Sequence, residues 1–83
     1  MDEFSPHKLR NVRITYDHEA DAAMIYLVPI AHGEVADTVE CGGEGPVGSI
    51  YLDLDKDGRL LGIEVLRARE TLPDEVLARA ERI

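Results

Sequence analysis

Tryptophan is absent from these 83 residues, phenylalanine occurs once and tyrosine three times. A platform for single-stranded nucleic acid needs exposed aromatics interleaved with bases. Tyr26 and Tyr51 sit in segments without any basic residue, so packing in a core or an interface accounts for them better. Cysteine is scarce too. Cys41 stands alone, which excludes an intrachain disulfide and fits a reducing compartment. A nucleophilic thiol would need a base beside it, and none of His7, His18 and His32 has a diagnostic spacing to Cys41. No apolar run approaches the roughly 20 residues of a membrane helix. The opening MDEFSPHKLRN has no hydrophobic signal core. The chain reads as soluble and cytoplasmic, with no membrane partner. It has no internal repeat and no low-complexity tract.

Positive charge is missing from the middle of the chain. From Ile14 through Asp55 there is no Lys or Arg, while Asp17, Glu19, Asp21, Glu34, Asp37, Glu40, Glu44, Asp53 and Asp55 carry nine negative charges. The remainder holds nine bases and eight acids, so the formal total of −8 is concentrated in the centre. Such a surface repels phosphates, and nucleic-acid binding loses its main driving force. A basic protein is the better electrostatic match, and plain solubility is the simplest alternative.

What is present is one small globular unit. Hydrophobic residues make up 45%, too many for intrinsic disorder. A chain this short hides roughly 60–65% of its unfolded surface, too little for a large enzyme with a deep cleft. Residues 1–11 are polar, contain Pro6 and read as a loose N-terminal arm. Residues 12–83 read as a single α+β domain.

Strand patterns follow in quick succession. Val12–Tyr16 alternates apolar and polar, and Ala23–Val28 is apolar on both faces until Pro29 ends it. Val35–Glu40 is a weaker strand. Gly42, Gly43, Gly45 and Pro46 make a loop. Ser49–Asp55 alternates again, and Arg59–Leu66 follows. Between them Asp57-Gly58 is a two-residue hairpin signal of the type that needs positive φ. A turn centred there pairs Leu54 with Leu61, Leu52 with Ile63 and Ile50 with Val65 on one face. The other face pairs Asp55 with Leu60, Asp53 with Gly62 and Tyr51 with Glu64. A one-residue slip destroys that match. Near the end the period changes. Pro73 opens a helix, Asp74 and Glu75 suit its first turn, and Val76, Leu77, Ala80 and Ile83 form one stripe. The expected architecture is an antiparallel sheet of four to five strands built from hairpins, with a C-terminal helix on one face.

Residues 53–64, DLDKDGRLLGIE, match the EF-hand loop pattern in full. Calcium needs those oxygens within 2.3–2.6 Å of one ion, between helices. Here the flanks are strands, and at ~3.3 Å per residue Glu64 lies roughly 20 Å along the strand from the turn. An EF-hand is therefore set aside. Asp53, Asp55 and Asp57 retain only the makings of a weak cation site near the turn. The Asp17-His18-Glu19-Asp21 cluster and the His32–Glu34 pair lack ligand spacing and read as turn chemistry. No catalytic, cofactor-binding or metal-ligating residue is assigned, and no cofactor is expected.

One helix covers one face. The row Met24, Tyr26 and Val28, extended by Tyr51, Leu60 and Leu66, then forms an apolar patch on the other, the kind of surface that marks protein contacts. Self-association as a two-fold dimer through this face is expected. The competing arrangement folds the arm, with Phe4 and Leu9, over the patch.

The segment Ile14-Thr15-Tyr16-Asp17-His18-Glu19-Ala20-Asp21-Ala22, with Ile25-Tyr26-Leu27, resembles the opening of a small bacterial family, domain of unknown function 2283. The stretch from Ile50 through Leu66 is similar to that family's hairpin. Together they span about residues 13–66. Members often carry Pro where this chain has His18. The resemblance implies a small bacterial sheet domain and no activity. Some members are encoded beside toxin-like genes, which implies an antitoxin-like role by association. Two classes of function are carried forward. One is a non-enzymatic interaction module, a homodimer or the partner of a basic protein. The other is a ligand or metal binder, or an enzyme whose site forms at a dimer interface.

Overall fold

The structure, a computed structural model, describes residues 12–41 and 49–83. The arm assigned to residues 1–11 and the loop around Gly42–Pro46 lie outside the described residues. Five strands follow the expected order: β1 Arg13–Asp17, β2 Ala22–Tyr26, β3 Asp37–Cys41, β4 Ile50–Leu54 and β5 Leu60–Leu66. Two short helices, α1 Ala68–Thr71 and α2 Asp74–Arg79, precede a sixth strand, β6 Glu81–Arg82. The sheet order is β3-β4-β5-β2-β1-β6.

Two expectations about this sheet are corrected. Among the described residues it has six strands rather than four or five, and it is mixed, because β6 runs parallel to β1. The helix expected to run on to Ile83 stops at Arg79. Ala80 is already extended at φ −73 and ψ 148. Tertiary contacts favour the strand. The Ile83 N–H donates to the Tyr16 carbonyl at 3.1 Å, and the Arg13 guanidinium forks onto both Glu81 oxygens at 2.9 and 3.0 Å. Pro73, with ψ 148, stands just before the helix as its cap rather than as its first residue. Its missing N–H suits this place equally well.

The β4–β5 hairpin carries four of the expected pairs: Ile50–Val65, Tyr51–Glu64, Leu52–Ile63 and Asp53–Gly62. Beyond Asp53 the register shifts, and Leu54 faces Leu60 instead of Leu61. The turn is one residue longer than expected. Asp55 pairs with Arg59 through its N–H at 2.9 Å, and the Gly58 N–H closes onto the Asp55 carbonyl at 2.9 Å. Gly58 has φ 79, whereas Asp57 is not in the left-handed region. This is a three-residue loop with glycine at the left-handed position. The Asp55 carboxylate selects it by accepting the N–H groups of Asp57 and Arg59, both at 2.9 Å.

Alternation divides the side chains between two faces. Ile14, Tyr16, Ala23, Ile25, Ile63 and Val65 point to one, where they meet Ala68, Leu72, Leu77 and Ala80. Small residues allow this close approach: Ala23 and Ala68 are almost fully buried. The opposite face receives Thr15, Met24, Tyr26, Tyr51, Asp53, Gly62 and Glu64. The helices cover the first face only around β1, β2 and β5. All five residues of β3 are exposed.

Candidate functional site

The face away from the helices holds the most unusual chemistry of the molecule. Register places Tyr51 beside Glu64 and Asp53 beside Gly62, so Asp53 and Glu64 are diagonal neighbours on one face. Their carboxyl groups are close enough for a protonated one to donate to the other. That hydrogen bond, burial and the Asp53 charge push Glu64 up to about 7. Asp53 is only 4% exposed and accepts the Thr38 hydroxyl at 2.9 Å. A chain of three polar groups thus runs from β3 across β4 to β5.

Apolar groups surround this chain. Thr15, Ala22, Met24, Tyr26, Glu64 and Leu66 line a shallow depression of about 310 Å³. Met24 lies over Gly62, where an added Cβ would stand 2.6 Å from the Met24 Cε, 2.9 Å from the Ile25 carbonyl oxygen and 3.2 Å from the Ile30 Cδ1. Of the anticipated apolar row, Met24, Tyr26, Tyr51 and Leu66 lie on this face, whereas the register shift turns Leu60, opposite Leu54, to the helix side, and Val28 lies beyond the end of β2. Met24, Tyr26 and Tyr51 are half-buried, while Val28, Leu60 and Leu66 are about two-fifths exposed. Arg13 lies 5.4 Å from the Tyr26 ring centre and closes one side of the face with its partner Glu81.

The EF-hand pattern is taken apart by the fold. Asp55 and Asp57 both pair with Arg59, at 3.1 and 3.4 Å, in the turn. The first and last acids of the pattern, Asp53 and Glu64, are diagonal neighbours, and Asp53 raises the Glu64 carboxyl. Hydrogen bonds from the Arg59 and Asp57 backbone outweigh burial and lower the Asp55 carboxyl. Among the described residues no group of three or more His, Cys, Asp or Glu converges as metal ligands would.

The acidic motif between β1 and β2 is a structural joint. Asp17 Oδ1 accepts the N–H groups of Glu19 and Ala20, at 3.0 and 3.3 Å, and closes the turn. Asp21 sits at φ 53 and reaches across to the first helix. Its Oδ1 accepts the Tyr16 hydroxyl at 2.9 Å and the Arg69 N–H at 3.0 Å, and its carbonyl accepts the Ala68 N–H at 3.0 Å. Burial opposes ionisation there, but the Arg69 and Tyr16 hydrogen bonds outweigh it and lower the Asp21 carboxyl. Burial and the bond to Asp21 raise Tyr16. His18 is exposed in the turn. Glu34 turns back to accept the Ala31 N–H at 2.8 Å and has no shared role with His32. Cys41 is free and exposed at the end of β3.

The sequence reading missed the Asp53–Glu64 pair, although its own register put both on one face. The diagonal neighbour relation was the available signal. No helix among the described residues is long and apolar enough to cross a membrane. A family profile described as "Protein of unknown function (DUF2283)" matches residues 13–69. No curated protein and no solved structure matches the chain.

Proposed function

Since the chain belongs to the DUF2283 family, whose description assigns no activity, we propose that it is a non-enzymatic interaction module that self-associates through its uncovered sheet face. It acts as a bacterial, cytoplasmic two-fold dimer, and its acidic surface suits a basic partner, as an antitoxin-like role would require. The observation carrying this reading is that face: Met24, Tyr26 and Leu66 line it beside Glu64, Tyr51 pairs with Glu64, and Asp53 with burial raises Glu64 to about 7. Packing against a second apolar face removes such a group from water at least cost in its protonated form.

Sedimentation velocity of the full chain at micromolar concentration tests this. A dimer mass is expected, and Leu66→Glu is expected to give a folded monomer, because Leu66 is exposed and its side chain is not needed by the core. Removing residues 1–11 should leave the dimer intact. A wild-type monomer, or a dimer unaffected by Leu66→Glu, would reject the proposal. The Asp53–Glu64 pair also favours a second reading, a small-ligand or cation site completed at the interface. Melting with calcium, magnesium or zinc checks it, since binding raises Tm.

A further inference from the structure

The open edge of the sheet points to a second interaction surface. β3 is the terminal strand, with β4 as its only strand neighbour among the described residues. Its pairing with β4 is regular from Asp37–Leu54 to Cys41–Ile50, without a bulge. Alternate residues of such a strand direct N–H and C=O groups outward, ready to pair with another chain. Natural edges are usually blunted by proline, charged side chains, a bulge or extreme shortness. β6, at the other edge, has two residues. β3 has five, all exposed and none of them Pro or Lys, and its only charged residues are the acids Asp37 and Glu40.

Charge says which chain this edge accepts. Asp37 and Glu40 lie on the strand and Glu34 precedes it, all exposed. No base occurs between Ile14 and Asp55. The hairpin's Arg59 is already engaged with Asp55 and Asp57. A second copy of β3 paired antiparallel about Val39 would double these acids along one seam. The edge is thus guarded against itself and open to the opposite sign.

We propose that β3 is a docking edge for an extended basic segment of a partner protein, which adds to the sheet as a seventh strand. Asp37, Val39 and Cys41 share one face, and Thr38 and Glu40 the other. The two acids thus stand on opposite faces, so the fitting segment carries Lys or Arg three positions apart, with small apolar residues between them. This surface is separate from the dimer face, and it rests on the preceding reading for the premise of an interaction module with a basic partner.

The probe is a seven-residue Lys/Val peptide with its Lys residues three positions apart, titrated against the full chain with amide hydrogen exchange as the readout. Binding is expected with slowed exchange confined to residues 37–41 and their β4 partners. A Glu/Val peptide should not bind. The Lys/Val peptide N-methylated on alternate residues should lose binding, since it keeps charge but not the ladder. Asp37→Asn with Glu40→Gln should weaken binding roughly tenfold at low salt. Equal binding of the N-methylated peptide would reduce the effect to bare charge attraction and overturn the proposal. So would β3 amides already protected without peptide, through another segment of the chain or a second copy.

Discussion

Glu64 is the residue whose surroundings depart most from those of a free side chain. Its folded value near 7 lies above its usual 4.5, so the folded state holds a proton that the unfolded state releases between those values. The stabilisation is full below about pH 4.5 and is lost as pH rises to 7. The loss is on the order of 1–3 kcal/mol. Urea unfolding should show the wild type less stable at pH 8 than at pH 5, with Glu64→Gln flattening that slope and gaining stability at pH 8. An unchanged slope would show that Glu64 is not the proton's carrier. Asp21 presents the opposite case. Its carboxyl is lowered, so its contribution is present at neutral pH and disappears as pH falls below about 4. Asp21→Ala loses the hydrogen bonds to Tyr16 and Arg69 and leaves a β-carbon residue at φ 53. Melting should drop by roughly 5–10 °C, and by less in Asp21→Asn, which tolerates that φ and still accepts.

The two glycines of the β4–β5 hairpin separate conformation from packing at the level of the element. Gly58 has positive φ and open space around a added Cβ. Gly58→Ala should cost about 1 kcal/mol, the penalty of the left-handed conformation alone. Gly62 has ordinary φ, but an added Cβ would stand 2.9 Å from a backbone oxygen of β2. Gly62→Ala should cost about 1–3 kcal/mol, because strand β2 cannot move aside as a flexible side chain can. Denaturant midpoints of the two variants test this order. The same hairpin shows how far sequence reaches. Alternation placed Ile50, Leu52, Ile63 and Val65 in register, because period-two burial admits only one pairing. It could not show the register shift that leaves Leu61 as the extra residue of β5, which depends on how one Asp55 carboxylate captures two N–H groups. The C-terminal strand was hidden for a related reason. Two residues carry no periodicity, and Glu81–Arg82 becomes a strand only because Tyr16 and Arg13 stand beside it. Of the site, the apolar row was legible from Ala23–Val28, a strand without a polar face. The carboxyl pair needed a diagonal across two strands.

At the scale of the whole molecule, the helices and the acids divide the surface into three regions with different tasks. The helix-covered face contains the core, the edge strand carries unpaired backbone beside acids, and the remaining face joins apolar groups to a titrating carboxyl. If that last face pairs with its copy, dimerisation must respond to pH. Glu64 is met there by Asp53 and Thr38 from β4 and β3, by Tyr51 and Glu40 on the neighbouring strands, and by Thr15, Met24, Arg13, Glu81 and Asp17 toward the other edge. Only the Arg13–Glu81 pair is internally neutralised. A second apolar face over Glu64 removes water that its ionised form needs, so association takes up protons once the free protomer has begun to lose them near pH 7. The dimer dissociation constant should be flat below that value. Above it the constant should rise by up to about tenfold per pH unit for each Glu64 kept neutral. Sedimentation at pH 6, 7, 8 and 9 reads this directly, and Glu64→Gln should associate with the same constant throughout. A wild-type constant that ignores pH would place Glu64 outside the interface, whatever its effect on the stability of the single chain.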